Sequence, residues 1–162
     1  MPWVNKVPAI VQGWFLGSEA GNSIADILTG RVNPSGRLPM TFPVKLDDVA
    51  AHNHGAYPGT KRGDENIWDV TYEEGILTGY RWHDARGIKP LFPFGHGLSY
   101  TSFTYGRPTL SSAELKSSVT ASLNPEDLAA ATPITVTVPV TNTGDVAGSE
   151  TVQLYLSDNA PV

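Results

Sequence analysis

Two different hydrophobic patterns divide the chain. Residues 7–16 form a mostly apolar run, which is typical of a strand buried on both faces of a parallel sheet. Apolar side chains then recur at helical spacing over residues 20–28, and Gly30 stands where a helix-ending glycine belongs. The pattern predicts a strand, a tight turn in which Ser18 caps the helix, and the helix itself. Together they make one unit of an α/β layer, which cannot bury both of its faces alone.

A second pattern follows Phe103. Apolar and polar residues alternate over residues 134–140, which predicts a strand with one apolar face. Another alternation over residues 151–156 predicts an antiparallel partner, joined to the first strand by a turn at residues 142–145. Because Pro139 has no backbone N–H, we expect its strand to lie at an edge or to carry a bulge. Two such strands begin a β-sandwich but are too few to close it.

The middle of the chain lacks a clear period. Residues 44–75 are polar and aromatic and are interrupted by glycine and proline, which predicts a long surface loop. Residues 76–82 fit either a strand or a short helix, whereas the apolar and aromatic residues 91–100 predict a packed connector. We therefore place the domain boundary near residues 100–112.

Composition excludes several classes of function. The 162 residues are 40% hydrophobic and 17% charged, which is compatible with a packed core rather than with disorder. A net charge of −5 and scattered basic residues argue against a nucleic-acid-binding surface. The absence of cysteine excludes disulfides, thiol catalysis and cysteine metal sites within the chain, and leaves the compartment open. No apolar run is long enough for a membrane span, and the first residues lack the regions of a signal peptide.

Carboxylate pairs are the first candidates for chemistry, because hydrolysis of a sugar linkage uses two facing carboxyl groups. Glu73 and Glu74 are adjacent in the sequence, as are Asp47 and Asp48. Neighbouring residues of an extended chain point to opposite faces, so neither pair is expected to face a common substrate. Solvated loop charge is the favoured interpretation, and the sequence predicts no catalytic residue here.

The histidines are weak candidates for metal ligands or catalytic residues. His52 and His54 could ligate a metal together, but no third ligand stands at a typical spacing, so we predict no metal site. His83 precedes Asp84 without a serine or cysteine elbow, which argues against a hydrolase triad. His96 lies between two glycines and is expected to hydrogen-bond locally in a turn. A glycine-rich phosphate loop is also missing from the sequence.

Aromatic residues cluster around the predicted loop. Trp68, Tyr72, Tyr80 and Trp82 stand among polar residues, a combination that suits carbohydrate because the apolar face of a pyranose packs on an aromatic ring. Packing between domains is the competing interpretation, and the residues alone favour it.

Several long strings of residues follow one another in a specific order. The most specific is GRVNPSGRLPMTFP over residues 30–43, which combines a turn with proline-held extended backbone. The others lie at residues 7–28, 72–84, 92–103, 140–145 and 152–155. In this order the strings resemble the C-terminal part of glycoside hydrolase family 3, which includes β-glucosidases, β-xylosidases and exo-glucanases.

The resemblance implies an enzyme built from a barrel, an α/β sandwich domain and a fibronectin type III-like domain. Residues 1–103 would form the end of the α/β sandwich domain, and residues 104–162 the incomplete start of the fibronectin-like, immunoglobulin-type sandwich. The family is retaining: an aspartate on the barrel attacks the anomeric carbon, and a glutamate on the α/β domain acts as acid and base. No position of this chain matches either motif, and the family needs no metal or organic cofactor.

Two hypotheses about function result. In the first, the chain is the C-terminal segment of a retaining β-glycosidase, in particular a β-glucosidase acting on β-glucosides, and it supports a barrel and α/β segments that it does not contain. Trp68, Tyr72 and Trp82 would then bind substrate on the aglycone side. In the second, the chain is a non-catalytic module that binds carbohydrate or a partner chain. Family members are often periplasmic or secreted, and no catalysis is expected from this chain alone.

We predict that the isolated chain is poorly stable, because the strand over residues 7–16 lacks sheet neighbours and the half sandwich exposes its edges. Thermal unfolding followed by circular dichroism should give a broad transition, with association visible in analytical ultracentrifugation. A sharp, cooperative transition of a monomer would contradict this prediction.

Overall fold

The computed structural model describes residues 1–111 and 134–157. The chain divides into two compact units, of which the first comprises Met1–Tyr100 with Ser149–Val162 and the second comprises Thr101–Gly148. None of the helices that the structure describes combines the length and the hydropathy of a membrane-spanning helix.

The first unit contains the predicted first helix, which is confirmed as α1, Ala20–Leu28. A short 3-10 helix, Gly17–Glu19, leads into it, and Gly30 follows its end with a φ of +75°. This left-handed conformation carries little steric cost for glycine, so the chain can leave the helix there. The predicted cap was wrong, since the side chain of Ser18 makes no capping hydrogen bond.

The predicted strand over residues 7–16 is not formed. No backbone hydrogen bond joins residues 7–15 to any other part of the described chain. Their apolar side chains remain largely in solvent, with Val11 57% exposed and Phe15 fully exposed. The prediction was wrong because a strand buried on both faces needs neighbouring strands and covering helices, and the described residues supply neither.

The predicted long loop over residues 44–75 contains regular structure, so that prediction was also wrong. Its elements are a 3-10 helix, Leu46–Asp48, then α2, Ala50–Asn53, and an antiparallel hairpin of β1, Thr60–Lys61, and β2, Trp68–Asp69. The carboxylate of Asp48 accepts a hydrogen bond from the backbone N–H of Lys45, which closes the first of these turns.

A short helix forms within the region of residues 76–82, for which the sequence fitted either a strand or a helix. It is α3, Tyr80–Arg86, and it ends at Gly87, whose φ of +61° is left-handed. Trp82 and His83 of this helix are buried, which makes α3 the part of the first unit with the most enclosed side chains.

The predicted connector pairs with the proline-rich string of residues 30–43. The N–H of Phe42 donates to the carbonyl oxygen of Phe92 at 2.8 Å, and the N–H of Leu38 donates to that of His96 at 2.8 Å. The rings of Phe92 and His96 stack with centroids 5.1 Å apart. This pairing joins the end of the α1 region to the residues after α3.

Residues 149–157 pack on the same connector without forming a strand, so the prediction of a strand over residues 151–156 was wrong. Glu150 forms an ion pair with Arg37, whose Nη2 lies 2.6 Å from Oε2 of the carboxylate, and both side chains are largely buried. The Tyr155 ring meets Tyr80 edge-on, with centroids 5.4 Å apart. Side-chain contacts therefore hold this segment in place of a backbone ladder.

In the described part of the second unit, four short strands form an antiparallel ladder of two pairs. They are β3, Phe103–Tyr105, β4, Thr109–Leu110, β5, Val136–Thr137, and β6, Val140–Asn142. β3 pairs with β6 and β4 pairs with β5, each in antiparallel register. The partner of residues 134–142 is therefore the stretch that follows Tyr100, and not residues 151–156 as predicted.

A bulge interrupts this ladder. Three residues separate β3 from β4, whereas two separate β5 from β6, so one strand carries an extra residue. The N–H of Gly106 donates to the carbonyl oxygen of Pro139 at 2.8 Å across the interruption. The predicted single strand over residues 134–140 is split at Pro139, since proline has no N–H to give to the ladder. A bulge was expected in the strand of Pro139, but the extra residue lies in the facing stretch, between Tyr105 and Thr109.

The Arg37–Glu150 pair should hold residues 149–157 on the first unit. Arg37→Met is expected to make chymotryptic cleavage within residues 151–156 at least about tenfold faster, because it removes the arginine partner of a largely buried carboxylate. The matched control is Arg31→Met, which breaks an ion pair with Asp26 of similar length, 2.9 Å, whose arginine is 75% exposed. Since exposed pairs contribute little, the rate of cleavage within residues 151–156 should hardly change. Equal effects of the two substitutions would contradict the assignment.

Candidate functional site

The three aromatic residues predicted to bind substrate lie in two different environments. Trp68 belongs to β2 and is 48% exposed, and Tyr72 is 79% exposed. Trp82 lies in α3 and is only 2% exposed. Two of the three rings are thus accessible to a ligand, whereas Trp82 in this position cannot offer a ring face to a sugar.

Trp82 is the centre of a cluster drawn from separate elements. Its indole N–H donates to the backbone carbonyl oxygen of Asp48 at 3.1 Å. The His54 ring approaches it edge-on with centroids 5.1 Å apart, and the Arg86 guanidinium lies 4.7 Å from its ring centroid. We call Trp82, Asp48, His54 and Arg86 the Trp82 cluster. It fastens α3 to the residues around α2, so Trp82 packs within the first unit, whereas the competing interpretation expected packing between domains.

His54 also reaches toward the predicted loop's last residues. Its Nδ1 lies 4.0 Å from Oε2 of Glu73, while the His52 ring packs against Tyr57 with centroids 5.4 Å apart. The two histidines therefore have different partners. Within the ranges that the structure describes, no group of three histidine or acidic side chains could hold a metal ion.

His83 is a buried residue of α3. It is 5% exposed, and its Nδ1 lies 3.1 Å from the carbonyl oxygen of Ile88. The backbones of the same two residues are also joined, because the N–H of Ile88 donates to the carbonyl oxygen of His83 at 2.9 Å. A buried imidazole that contacts the backbone this way fixes the turn after α3.

The adjacent carboxylates are not arranged as facing pairs. Glu73 is exposed beside His54, whereas Oε2 of Glu74 is buried without a hydrogen-bonding partner in the described part of the chain. Asp48 uses its carboxylate to accept the N–H of Lys45. The different surroundings of Glu73 and Glu74 agree with the expectation that neighbours on the chain point apart.

The hairpin that carries Trp68 is held by contacts that the sequence did not indicate. Lys61 stands opposite Trp68 in the register of β1 and β2. The Arg62 guanidinium contacts both carboxylate oxygens of Asp69, through Nε at 3.1 Å and through Nη2. Gly59 has a φ of +94°, and a Cβ there would collide with the carbonyl oxygen of Asp69. These contacts give the Trp68 ring a defined support at the surface.

A shallow cavity of about 370 Å³ opens elsewhere on the first unit. Its lining is Met1, Phe42, Pro43, Val44, Lys45 and Leu46. Lys45 is the sole ionisable side chain among these residues, so the cavity offers no carboxylate for acid–base chemistry. Of the three residues predicted to bind substrate, Trp68 and Tyr72 are the accessible ones.

Comparisons with known proteins give a consistent result. A family model described as the glycosyl hydrolase family 3 C-terminal domain matches residues 1–100. Beta-glucosidase BoGH3A of Bacteroides ovatus is 46% identical over 160 residues, covering 98% of this chain and 19% of the relative. A β-glucosidase of Rhizobium radiobacter is 49% identical over 165 residues, covering 100% of this chain and 18% of the relative. The chain thus spans less than a fifth of the length of these relatives.

Solved structures agree with the sequence comparisons. β-Glucosidase 3B from Thermotoga neapolitana, in complex with glucose, matches with a TM-score of 0.71 and 37% identity over 91% of this chain and 18% of that one. DesR, a β-glucosidase from Streptomyces venezuelae in complex with D-glucose, matches with a TM-score of 0.66 and 39% identity over 89% of this chain and 16% of that one.

Substitution of Trp82 tests whether the Trp82 cluster supports the residues around α2. Trp82→Phe keeps a ring but removes the indole donor to Asp48, so we expect a loss of about 1 kcal/mol and roughly fivefold faster amide exchange over residues 52–55. Trp68→Phe is the matched control, because the Trp68 ring is half exposed and the same region should be unaffected. An equal response to both substitutions would argue against the cluster as the support of this region.

Proposed function

We propose that this chain, which belongs to glycoside hydrolase family 3, supplies the C-terminal segment of a retaining β-glucosidase. The reaction would be hydrolysis of terminal, non-reducing β-D-glucosyl residues. The observation that carries the proposal is the match to proteins named β-glucosidases over 98% and 100% of this chain, at 46% and 49% identity.

In this proposal the reacting carboxyl groups lie in parts of the enzyme outside these 162 residues. A retaining enzyme needs two carboxyl groups about 5–5.5 Å apart, one to attack the anomeric carbon and one to protonate the leaving oxygen. The latter then removes a proton from the water that releases the sugar. The carboxylates of Glu73, Glu74 and Asp48 have separate structural surroundings, which supports assigning neither role to them.

The accessible aromatics have a supporting role in the proposal. Trp68 on its hairpin and Tyr72 just after it would contact the aglycone of the β-glucoside, since a ring face can pack on the apolar face of a pyranose. Trp82 would act indirectly, by holding α3 and the residues around α2 behind this surface. The contacts of Arg62 with Asp69 would keep Trp68 in register.

The proposed domain arrangement follows the family. In the complete enzyme, residues 1–103 would belong to an α/β sandwich domain and residues 104–162 to the start of a fibronectin type III-like domain. The antiparallel ladder of the second unit supports the latter assignment. A separate non-catalytic module that binds carbohydrate has less support, because β-glucosidases match nearly the whole chain.

The test is a chimera in which the 162 residues replace the matching C-terminal part of the Rhizobium radiobacter β-glucosidase. We expect the chimera to hydrolyse an aryl β-glucoside and this chain alone to show no turnover. Turnover by this chain alone, abolished by replacing one of its own carboxylates, would overturn the proposal. Retention of the chain on insoluble glucan, together with an inactive chimera, would favour the binding module.

The same chimera tests the aromatic residues. Trp68→Ala should raise KM for cellotriose by about three- to tenfold, the size of one lost ring contact, and should leave kcat nearly unchanged. Trp3→Ala is the matched control, since Trp3 is 45% exposed and Trp68 is 48% exposed. If the two variants behave alike, Trp68 does not contact the substrate.

A further inference from the structure

The inference concerns the side of the β1–β2 hairpin that carries Trp68. In the antiparallel register Lys61 stands directly opposite Trp68. Directly opposite residues of an antiparallel pair share one face of the sheet, with Cβ atoms about 4.5–5.5 Å apart. Val70 follows Trp68 by two residues and therefore lies on the same side. We call Lys61, Trp68 and Val70 the Trp68 face.

The side chains of the Trp68 face are accessible. Trp68 is 48% exposed and Val70 is 43% exposed, and Lys61 is exposed as well. Gly59 lies beside Val70, and a Cβ in its place would approach Cγ2 of the valine to 3.0 Å. Because glycine has no side chain, the strand opposite Val70 leaves the valine uncovered. The Trp68 face is thus an open apolar surface with one ammonium group at its side.

The charges of the hairpin are divided between its two sides. Arg62 follows Lys61 and Asp69 follows Trp68, so both lie on the other side of the hairpin. There the Arg62 guanidinium contacts both carboxylate oxygens of Asp69, through Nε at 3.1 Å and through Nη2. Among the acidic side chains that the structure describes, none forms an ion pair with Lys61. The positive charge of the Trp68 face therefore remains available to a ligand.

The acidic residues of the hairpin turn stand apart from this charge. Asp64 and Glu65 lie beyond the pair of Arg62 and Ile67, in which the N–H of Arg62 donates to the carbonyl oxygen of Ile67 at 3.0 Å. The Trp68 face begins on the strand side of this pair. Along the hairpin, an anion bound on the Trp68 face therefore meets Lys61 before it meets either acidic residue of the turn.

We propose that the Trp68 face selects an acidic sugar as the aglycone, namely a glycuronate residue linked to the β-glucosyl group. This inference rests on the proposed function. The indole offers its ring to the apolar face of the pyranose, and the Lys61 ammonium pairs with the carboxylate at C6. A carboxylate fits better than a phosphate, because one lysine supplies one point charge, whereas a phosphate group carries close to two negative charges.

The test uses the chimera of the 162 residues with the Rhizobium radiobacter β-glucosidase. Its two substrates are cellobiose and β-D-glucose linked 1,4 to D-glucuronic acid, which differ only at C6 of the aglycone. We expect kcat/KM to be at least about threefold higher for the acidic disaccharide at low salt, mainly through a lower KM. The preference should largely disappear in about 0.5 M sodium chloride, because salt screens exposed charges. An equal or lower kcat/KM for the acidic disaccharide would overturn the inference.

Substitutions separate Lys61 from the general charge of the enzyme. Lys61→Met should bring the ratio of the two kcat/KM values to about one, whereas Lys61→Arg should keep the preference because it keeps the positive charge. The matched control is Lys89→Met, which removes the charge of another exposed lysine, located after α3. This control should leave the ratio unchanged. Equal ratios in the two methionine variants would contradict a role for Lys61.

The outcomes for the inference and for the proposed function are distinguishable. Hydrolysis of cellobiose without a preference for the acidic disaccharide would reject the inference and keep the proposed function. If the chimera hydrolyses neither substrate, binding to the 162-residue chain is followed through the NMR signal of the Trp68 indole N–H, assigned with Trp68→Phe. A larger shift with the acidic disaccharide than with cellobiose, lost in Lys61→Met, would keep the glycuronate site and reject the proposed function. Equal shifts would overturn the inference.

Discussion

Backbone pairing between the proline-rich string and the connector is the contact on which the first unit depends. Phe42 exchanges hydrogen bonds with residues 91–92, and Leu38 does so with residues 95–96. Residues 149–157 then pack on this pair through Arg37 and Glu150. Without the string the connector has no strand-like partner to pair with. Without the paired connector, residues 149–157 have no surface to pack on. The most specific sequence motif is thus a structural joint, which explains why it identifies a family without carrying chemistry.

Burial separates the aromatic residues into two roles. Trp82 is fixed by a hydrogen bond to Asp48 and by contacts with His54 and Arg86, so its ring belongs to the interior. Trp68 lies on a hairpin that the bidentate contact of Arg62 with Asp69 holds in register, and its ring remains accessible. The same residue type therefore serves as support in one place and as a candidate contact surface in another.

Some elements could be predicted because their causes are local. The helix over residues 20–28, its glycine ending and the interruption at Pro139 depend on periodicity, on glycine's tolerance of a positive φ and on proline's missing N–H. The hairpin at Trp68 was missed because its register depends on Gly59 packing against Asp69, a contact between residues ten apart. The loop prediction over residues 44–75 failed for this reason at the hairpin, whereas the helical turns Leu46–Asp48 and Ala50–Asn53 form through local hydrogen bonds that the prediction overlooked.

The sequence by itself determined the family resemblance, the helix and the apolar character of residues 7–15, because each resides in the order of neighbouring residues. The tertiary structure alone decided which strand pairs with residues 134–142, where residues 149–157 lie and which tryptophan is buried. Those outcomes depend on contacts between distant residues, for which alternation and spacing carry no information. Residues 7–15 show the difference most clearly: their composition specifies a buried strand, but a strand exists only where another strand can pair with it.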